Sequence, residues 1–411
     1  MNNVMKKKNF GLIPKLIIAI ILGTLVGLYL PDMVTRIATT FTKMFGAFLS
    51  FIIPLMIIAF VGKGIADLSE GAGKLLGVTV FLSYVSTLVA GTLSYIMART
   101  IFPSFIHKNV VKNITKASSH ELKPLFEIPL KPFIDVTAAL VLAFMLGLCV
   151  SVLKSKYKKE TFYNIMDEFN DIIHMVLEKC IIPVLPFYIF GNFTSLAKSG
   201  SVFAIFGIFG KIFVCIISLH LLYLLALFIV SCTYAGKNPF KSLRKTLSAY
   251  LTAVGTQSSA ATIPVNVQCN KSIGVTKSIR DFVIPLCATV HLPGSMITIT
   301  ACVFTLLTMF NMNHSFSLML NFIAILGVAM VAAPGAPGGA VMSALPFLPV
   351  VGVDPSSTMA TILISLYITQ DSFGTAANVT GDNAISVAVE KIYYKYIVKK
   401  EIPIEEAFEA E

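Results

Sequence analysis

Charged side chains are scarce in this chain. Asp, Glu, Lys and Arg make up 13% of its 411 residues, against 56% for hydrophobic types, roughly half the charged share of a soluble domain. Mean hydropathy reaches +0.82. So little charge cannot coat a water-soluble particle of this size, and the composition is that of an integral membrane protein. Paired cysteines are missing too. The seven cysteines, at 149, 180, 215, 232, 269, 287 and 302, form no C-x-x-C motif and lie mostly in apolar segments, where they read as small buried apolar residues. Asp371, His291 and Ser259 invite comparison with catalytic groups, yet the sequence context of a strained nucleophile elbow or an acid pair is absent, which argues against an intramembrane enzyme. No ring-forming filter motif is visible, which argues against a channel.

Long apolar runs are abundant. They recur near 12–30, 41–66, 75–100, 136–153, 164–197 and 201–233, each compatible with the ~20 residues of a spanning helix. The first lacks a clear small-x-small cleavage site, so it is expected to remain as a span. The net charge of +11 sits in short loops and tails rather than along an amphipathic surface, so it reports topology and not a nucleic-acid partner. Lys6 to Lys8, Lys63, Lys74, Lys154 to Lys159, Lys237 to Lys245, Lys399 and Lys400 all fall on one side if the N-terminus is cytoplasmic, as the positive-inside bias asks. The segment from His107 to Lys131 dissents, being external and still carrying lysines.

After residue 235 the pattern changes. Leu247 to Val267 is interrupted by the polar run Gly255 to Pro264, and Phe322 to Val353 by the Gly/Pro run Ala332 to Gly339. Each is followed by an expected full-length helix, near 277–309 and 356–395. A pair of interrupted segments in corresponding positions points to the midplane site of a secondary transporter, because irregular backbone at that depth must be satisfied by protein or by a watery cavity. The last helix adds Asp371, Thr375, Asn378 and Asp382, which fall in one stripe about 60° wide. A carboxylate in hydrocarbon costs at least about 2.5 kcal/mol, so the stripe faces protein or water and suits a cation or an amine.

These residues resemble the signature regions of the dicarboxylate/amino acid:cation symporter family, the bacterial and animal glutamate transporter group. The first interruption, Gln257-Ser-Ser-Ala-Ala-Thr-Ile-Pro264, is similar to the family's serine-rich tip. Asp371-Ser-Phe-Gly-Thr-Ala-Ala-Asn378-Val-Thr-Gly-Asp382 is similar to its last-helix motif, with Gly374 where arginine stands. The likeness runs over essentially the whole chain, including the Pro183 to Pro186 region. It implies an all-α integral membrane fold of eight transmembrane helices and two re-entrant helical hairpins with inverted repeats. The implied segments are 1–74 (scaffold helices one and two), 75–101 (transport-domain helix three), 102–200 (extracellular loop, scaffold helices four and five), 201–236 (transport-domain helix six), 237–276 (first hairpin), 277–315 (helix seven), 316–354 (second hairpin), 355–398 (helix eight) and 399–411 (cytoplasmic tail). The resemblance further implies a homotrimer in the cell inner membrane with both termini cytoplasmic.

By the same resemblance, Ser258 and Ser259 receive the substrate's α-carboxylate with Asn378, Asp371 pairs with its ammonium, and Gly374 and Thr375 line the cavity. Ala336, Pro337 and Gly338 form the tip of the second hairpin, the outer gate. Sodium is the implied coupling ion, with a proton as alternative. Its ligands are Asp382, Asn378 and carbonyls near Thr289, with His291 in a neighbouring ligand position and Ser86 and Thr87 at the hydroxyl positions of a further ion. No other cofactor is implied.

Two departures alter the chemistry. Gly374 and Tyr367 replace an arginine and its partner acid, so the cavity suits a neutral side chain, since an arginine clamps a carboxylate through its planar fork. His291-Leu-Pro293-Gly-Ser295 stands where the family has Asn-Met-Asp-Gly-Thr. Pro293 brings neither charge nor backbone donor, so one sodium site is expected to be lost or weakened. His291 either fills the asparagine's hydrogen-bonding role or carries a coupling proton. The sequence thus points to a cation-coupled symporter importing an amino acid with a neutral side chain, the alternative being glutamate, aspartate or a C4-dicarboxylate.

Overall fold

A computed structural model describes residues 12–67, 73–104, 106, 122–134, 136–200, 202–330, 333 and 338–403. Every regular element among them is helical. In chain order these are α1 (Leu12–Tyr29), α2 (Asp32–Asp67), α3 (Gly73–Ile101), α4 (Val136–Tyr157), α5 (Thr161–Val176), α6 (Ile182–Lys198), α7 (Val202–Ala235) and the short α8 (Pro239–Lys245). There follow α9 (Leu247–Thr256), α10 (Ser259–Ile273), α11 (Lys277–Val290), α12 (Pro293–Met309), α13 (Phe316–Met330), α14 (Gly339–Ala344) and α15 (Thr358–Ile392). Among the described residues five stretches are long and apolar enough to cross a membrane, at Asp32–Ala59, Lys74–Ser104, Lys179–Lys198, Phe209–Ala235 and Lys277–Met309.

Proline decides where the long runs break. Residues 277–309, expected as one helix, are two: α11 ends at Val290, and His291 (φ −117°, ψ 93°) and Leu292 (φ −121°, ψ 50°) leave helical geometry before α12 begins at Pro293. The cause is Pro293, whose ring bars the preceding residue from the α region. The 164–197 run stays helical throughout, α5 passing into α6 through a π-helical turn at Leu177–Ile181 with helical φ and ψ at both ends, just ahead of Pro183 and Pro186. The polar interruption at 255–264 resolves to Gln257, in left-handed conformation (φ 55°), and Ser258, whose side chain accepts from Ala261 N–H to cap α10.

Packing sorts the helices into two sets that meet lightly. In one, α1 lies on α6, and α2 lies on α4, α5 and α6. Gly23 and Gly27 let α1 approach closely, because a methyl at either would run into the Phe190 or Thr194 carbonyl oxygen of α6. In the other, α15 is the axle, contacted by α3, α7, α9, α10, α11 and α12. Nearly every residue of α15 from Ala360 to Glu390 is buried. Polar side chains fix its register on α10. Asn266 donates to the Val379 carbonyl (2.9 Å), Asn383 to Asn266 (2.6 Å), Asn270 to Asn383 (3.0 Å) and Ser386 to Asn270 (3.0 Å). Such groups are tolerable in an apolar interior only when paired, and these are.

Candidate substrate and cation site

The polar stripe lies wholly inside the protein: Asp371, Thr375, Asn378 and Asp382 are 4, 5, 2 and 1% exposed. Ala376 and Val379, on an adjoining face of α15, pack with Ala249, Ala253 and Cys269 of α9 and α10, which brings the Gln257–Ser259 break into the same helical set. Ser259 is buried (4%) and opens α10 directly after its capping residue Ser258.

Asp371 meets the second interruption. Its Oδ2 accepts the Gly338 N–H at 2.7 Å, a contact that requires the backbone to turn through φ 76° at Gly338, where glycine carries no Cβ penalty. The Thr375 and Tyr367 hydroxyls adjoin the same carboxylate. Ala336 and Pro337, expected at this tip, lie outside the described residues.

Asn378 holds the broken helix. Its Oδ1 accepts from the N–H groups of Gly294 (2.8 Å) and Ser295 (3.3 Å), and its Nδ2 donates to Ser295 Oγ (2.9 Å). The α12 N-terminus, whose first amides have no helical partners, is thereby capped from another helix. Tyr367 donates to the same Ser295 Oγ at 3.0 Å. Gly374 sits against this cluster: a methyl there would lie 3.6 Å from Gly294 and from Ser295 N. The place where an ion pair was expected to be missing is occupied by neutral hydrogen-bonding groups.

His291 joins two predicted cation ligands. Its Nδ1 is 2.9 Å from Asp382 Oδ1 and its Nε2 is 2.8 Å from Ser86 Oγ. An imidazole that donates Nδ1–H to the carboxylate accepts the serine hydroxyl at Nε2. Ser86 also lies 2.7 Å from the Tyr223 hydroxyl. Asp382 Oδ2 has no hydrogen-bond partner among the described residues. A buried carboxylate oxygen left so is strongly unfavourable unless a cation or water meets it, which makes that oxygen a candidate ligand for a hard cation. The hydroxyls of two other expected ligand positions bond within their own helices. The Thr87 hydroxyl donates to Ser83 O within its own helix, and Thr289 is exposed with its hydroxyl on Leu286 O.

Tyr223 and His220, both on α7, escaped the sequence reading. His220 is 1% exposed, with Nε2 3.0 Å from Gly294 O and 3.1 Å from Thr298 Oγ1. An isolated histidine or tyrosine in a long apolar run gives no sign of which break it will face.

The buried acids and amides of this stripe bond to the second interrupted segment at Gly338 and to the proline-broken helix at Gly294 and Ser295, an arrangement suited to a polar site within a membrane. The chain belongs to the Sodium:dicarboxylate symporter family, whose pattern it matches over residues 12–392. It is similar to the Serine/threonine transporter SstT of Acinetobacter baumannii, with 26% identity over 92% of this chain and 96% of the relative. It is also similar to the Serine/threonine transporter SstT of Streptococcus thermophilus, with 25% identity over 94% of this chain and 97% of the relative.

Proposed function

We propose that the chain is a secondary active symporter that uses a sodium gradient to import a small neutral, hydroxyl-bearing amino acid. The observation carrying this reading is the neutral cluster at Gly374: Tyr367 and Asn378 both donate to Ser295 Oγ, whose own O–H remains to give. A side-chain carboxylate would find no cation there. A hydroxyl would find a donor and acceptors, and a site built on such bonds rejects analogues that cannot make them. The names of the similar transporters agree with that chemistry.

Asp371 would take the substrate ammonium. One of its oxygens already binds the Gly338 N–H, so substrate entry and the position of the second tip share one carboxylate. Asn378 has a second Nδ2 hydrogen beyond the one used by Ser295, available to the substrate's α-carboxylate together with the Ser258–Ser259 tip. Sodium would sit on Asp382 Oδ2, and its binding would be coupled to the α11–α12 break through His291. In this reading the α1, α2, α4, α5 and α6 set is the scaffold of a homotrimer and the α15-centred set moves across it. The eight-span topology with two re-entrant hairpins and cytoplasmic termini in the cell inner membrane belongs to the same proposal.

Purified protein in liposomes, with an imposed sodium or proton gradient, tests the reading. Serine and threonine should accumulate against their gradient with sodium outside. Accumulation driven only by protons, or of aspartate or succinate in preference, overturns it.

A further inference from the structure

The ends of α7 and α15 and the α10–α11 turn line an open cavity of about 560 Å³, which begins on α15 at Glu390, about two helical turns beyond Asp382. Lys237, Lys391, Lys395 and Lys400 line it with Glu390 and Glu401. One of these ion pairs is internal. Glu390, 1% exposed, accepts from Thr276 N–H (2.7 Å) and from Lys237 Nζ (3.1 Å), and Lys237 also donates to Gly274 O (2.6 Å). That bonding satisfies both partners and welds the three elements together. Among the described residues, Lys391, Lys395 and Lys400 remain on the cavity wall against the carboxylate of Glu401, an excess of two positive charges.

Lysines at a helix C-terminus are favoured by the helix dipole and by membrane topology, but neither effect requires them to converge. Here the backbone makes them converge. Lys399 adopts a left-handed turn (φ 55°) and Lys400 N–H bonds back to Tyr394 O at 3.1 Å. That turn folds Lys400 to Ile402 over the concavity already faced by Lys391 and Lys395. Near the rim Tyr396 is 56% and Tyr234 42% exposed, and amphipathic rings of this kind settle at the headgroup level of a bilayer.

We propose that this cavity is a binding site for a phosphate-bearing anion, supplied by the headgroup of an anionic phospholipid. Lysines act on phosphate as point charges, and basic pockets beside membrane helices suit such headgroups. A bound headgroup would bridge Lys391 and Lys395 of the α15 end to Lys400, adding an external clasp to the Lys237–Glu390 weld.

The test is the thermal unfolding of the purified full chain at fixed ionic strength, titrated with phosphatidylglycerol, phosphatidylcholine or inorganic phosphate. Phosphatidylglycerol should raise the midpoint saturably, by a few degrees, through its preference for the folded state. The variant K391Q/K395Q/K400Q should lose that rise, and K156Q/K158Q/K159Q, which removes as much charge from another loop, should keep it. The single change Lys400→Gln, on an exposed segment, should shift the half-saturating concentration upward and serves if the triple variant does not fold. A rise with inorganic phosphate that shows the same dependence on the variants keeps the site and makes a soluble phosphate its source. An equal rise with phosphatidylcholine, or an equal loss in both triple variants, overturns the proposal.

Discussion

The Gly338 amide donates to Asp371 Oδ2 at 2.7 Å, tying the second interrupted segment to the acid of the last helix. In the function proposed above, a substrate ammonium would meet a carboxylate one of whose oxygens is already bonded to a backbone N–H.

Asp371→Asn keeps a carbonyl oxygen that can still accept from Gly338 but removes the charge. Leaving an ammonium unpaired in a desolvated cavity costs roughly 3 kcal/mol or more, so uptake should fall by about a hundredfold while the elution profile stays that of the wild type. Uptake at wild-type affinity would remove Asp371 from the substrate site.

Substrate choice should follow from Gly374 and Tyr367. In competition assays serine and threonine should displace labelled substrate better than aspartate, glutamate or succinate. Gly374→Arg should impair transport, because it sets a cation beside Gly294 and Ser295 with no acid at position 367. Strong competition by aspartate would contradict the neutral-cavity reading.

Asn378→Ala should destabilise the protein as well as stop transport. The change strips the Gly294 and Ser295 amides of their shared acceptor, and loss of a helix cap costs about 1 to 2 kcal/mol. Asn378→Asp retains an acceptor and should recover most of the lost unfolding midpoint, a split that calorimetry can read.

Asp382→Asn should weaken sodium activation more than it weakens substrate affinity at saturating sodium. His291→Ala takes the imidazole from Asp382 Oδ1, a loss of about 1 to 3 kcal/mol for a buried group left unpaired, while Ser86 Oγ keeps the Tyr223 hydroxyl. Sodium titrations of uptake should therefore show lower affinity in both variants. An unchanged sodium curve in Asp382→Asn would separate this carboxylate from the coupling ion.

Much of this architecture was legible because polar residues in an apolar sequence are so conspicuous. The stripe on α15 and the break at Gln257–Ser258 both stood out as interruptions of hydrophobic runs, and both interruptions occur in the structure. The break at His291–Leu292 did not stand out. Pro293 was read for the charge it replaced, although a proline in mid-span also ends the helix before it. Partners were harder still. Nothing local tells that Tyr367 and Asn378 share Ser295, or that Tyr223 meets Ser86, since helix faces expose which residues point inward but not which neighbours they meet.

The ladder of Asn266, Asn270, Asn383 and Ser386 has a mechanical corollary. Sliding α10 along α15 by one helical turn, about 5.4 Å, would break its hydrogen bonds together and strand amides in an apolar interior. Among the described residues of its tip, the second segment bonds to α15 through the Gly338 amide. Among the described residues the first interrupted segment is thus held to the last helix by bonds that would have to break together, whereas the tip of the second bonds to it through the Gly338 amide.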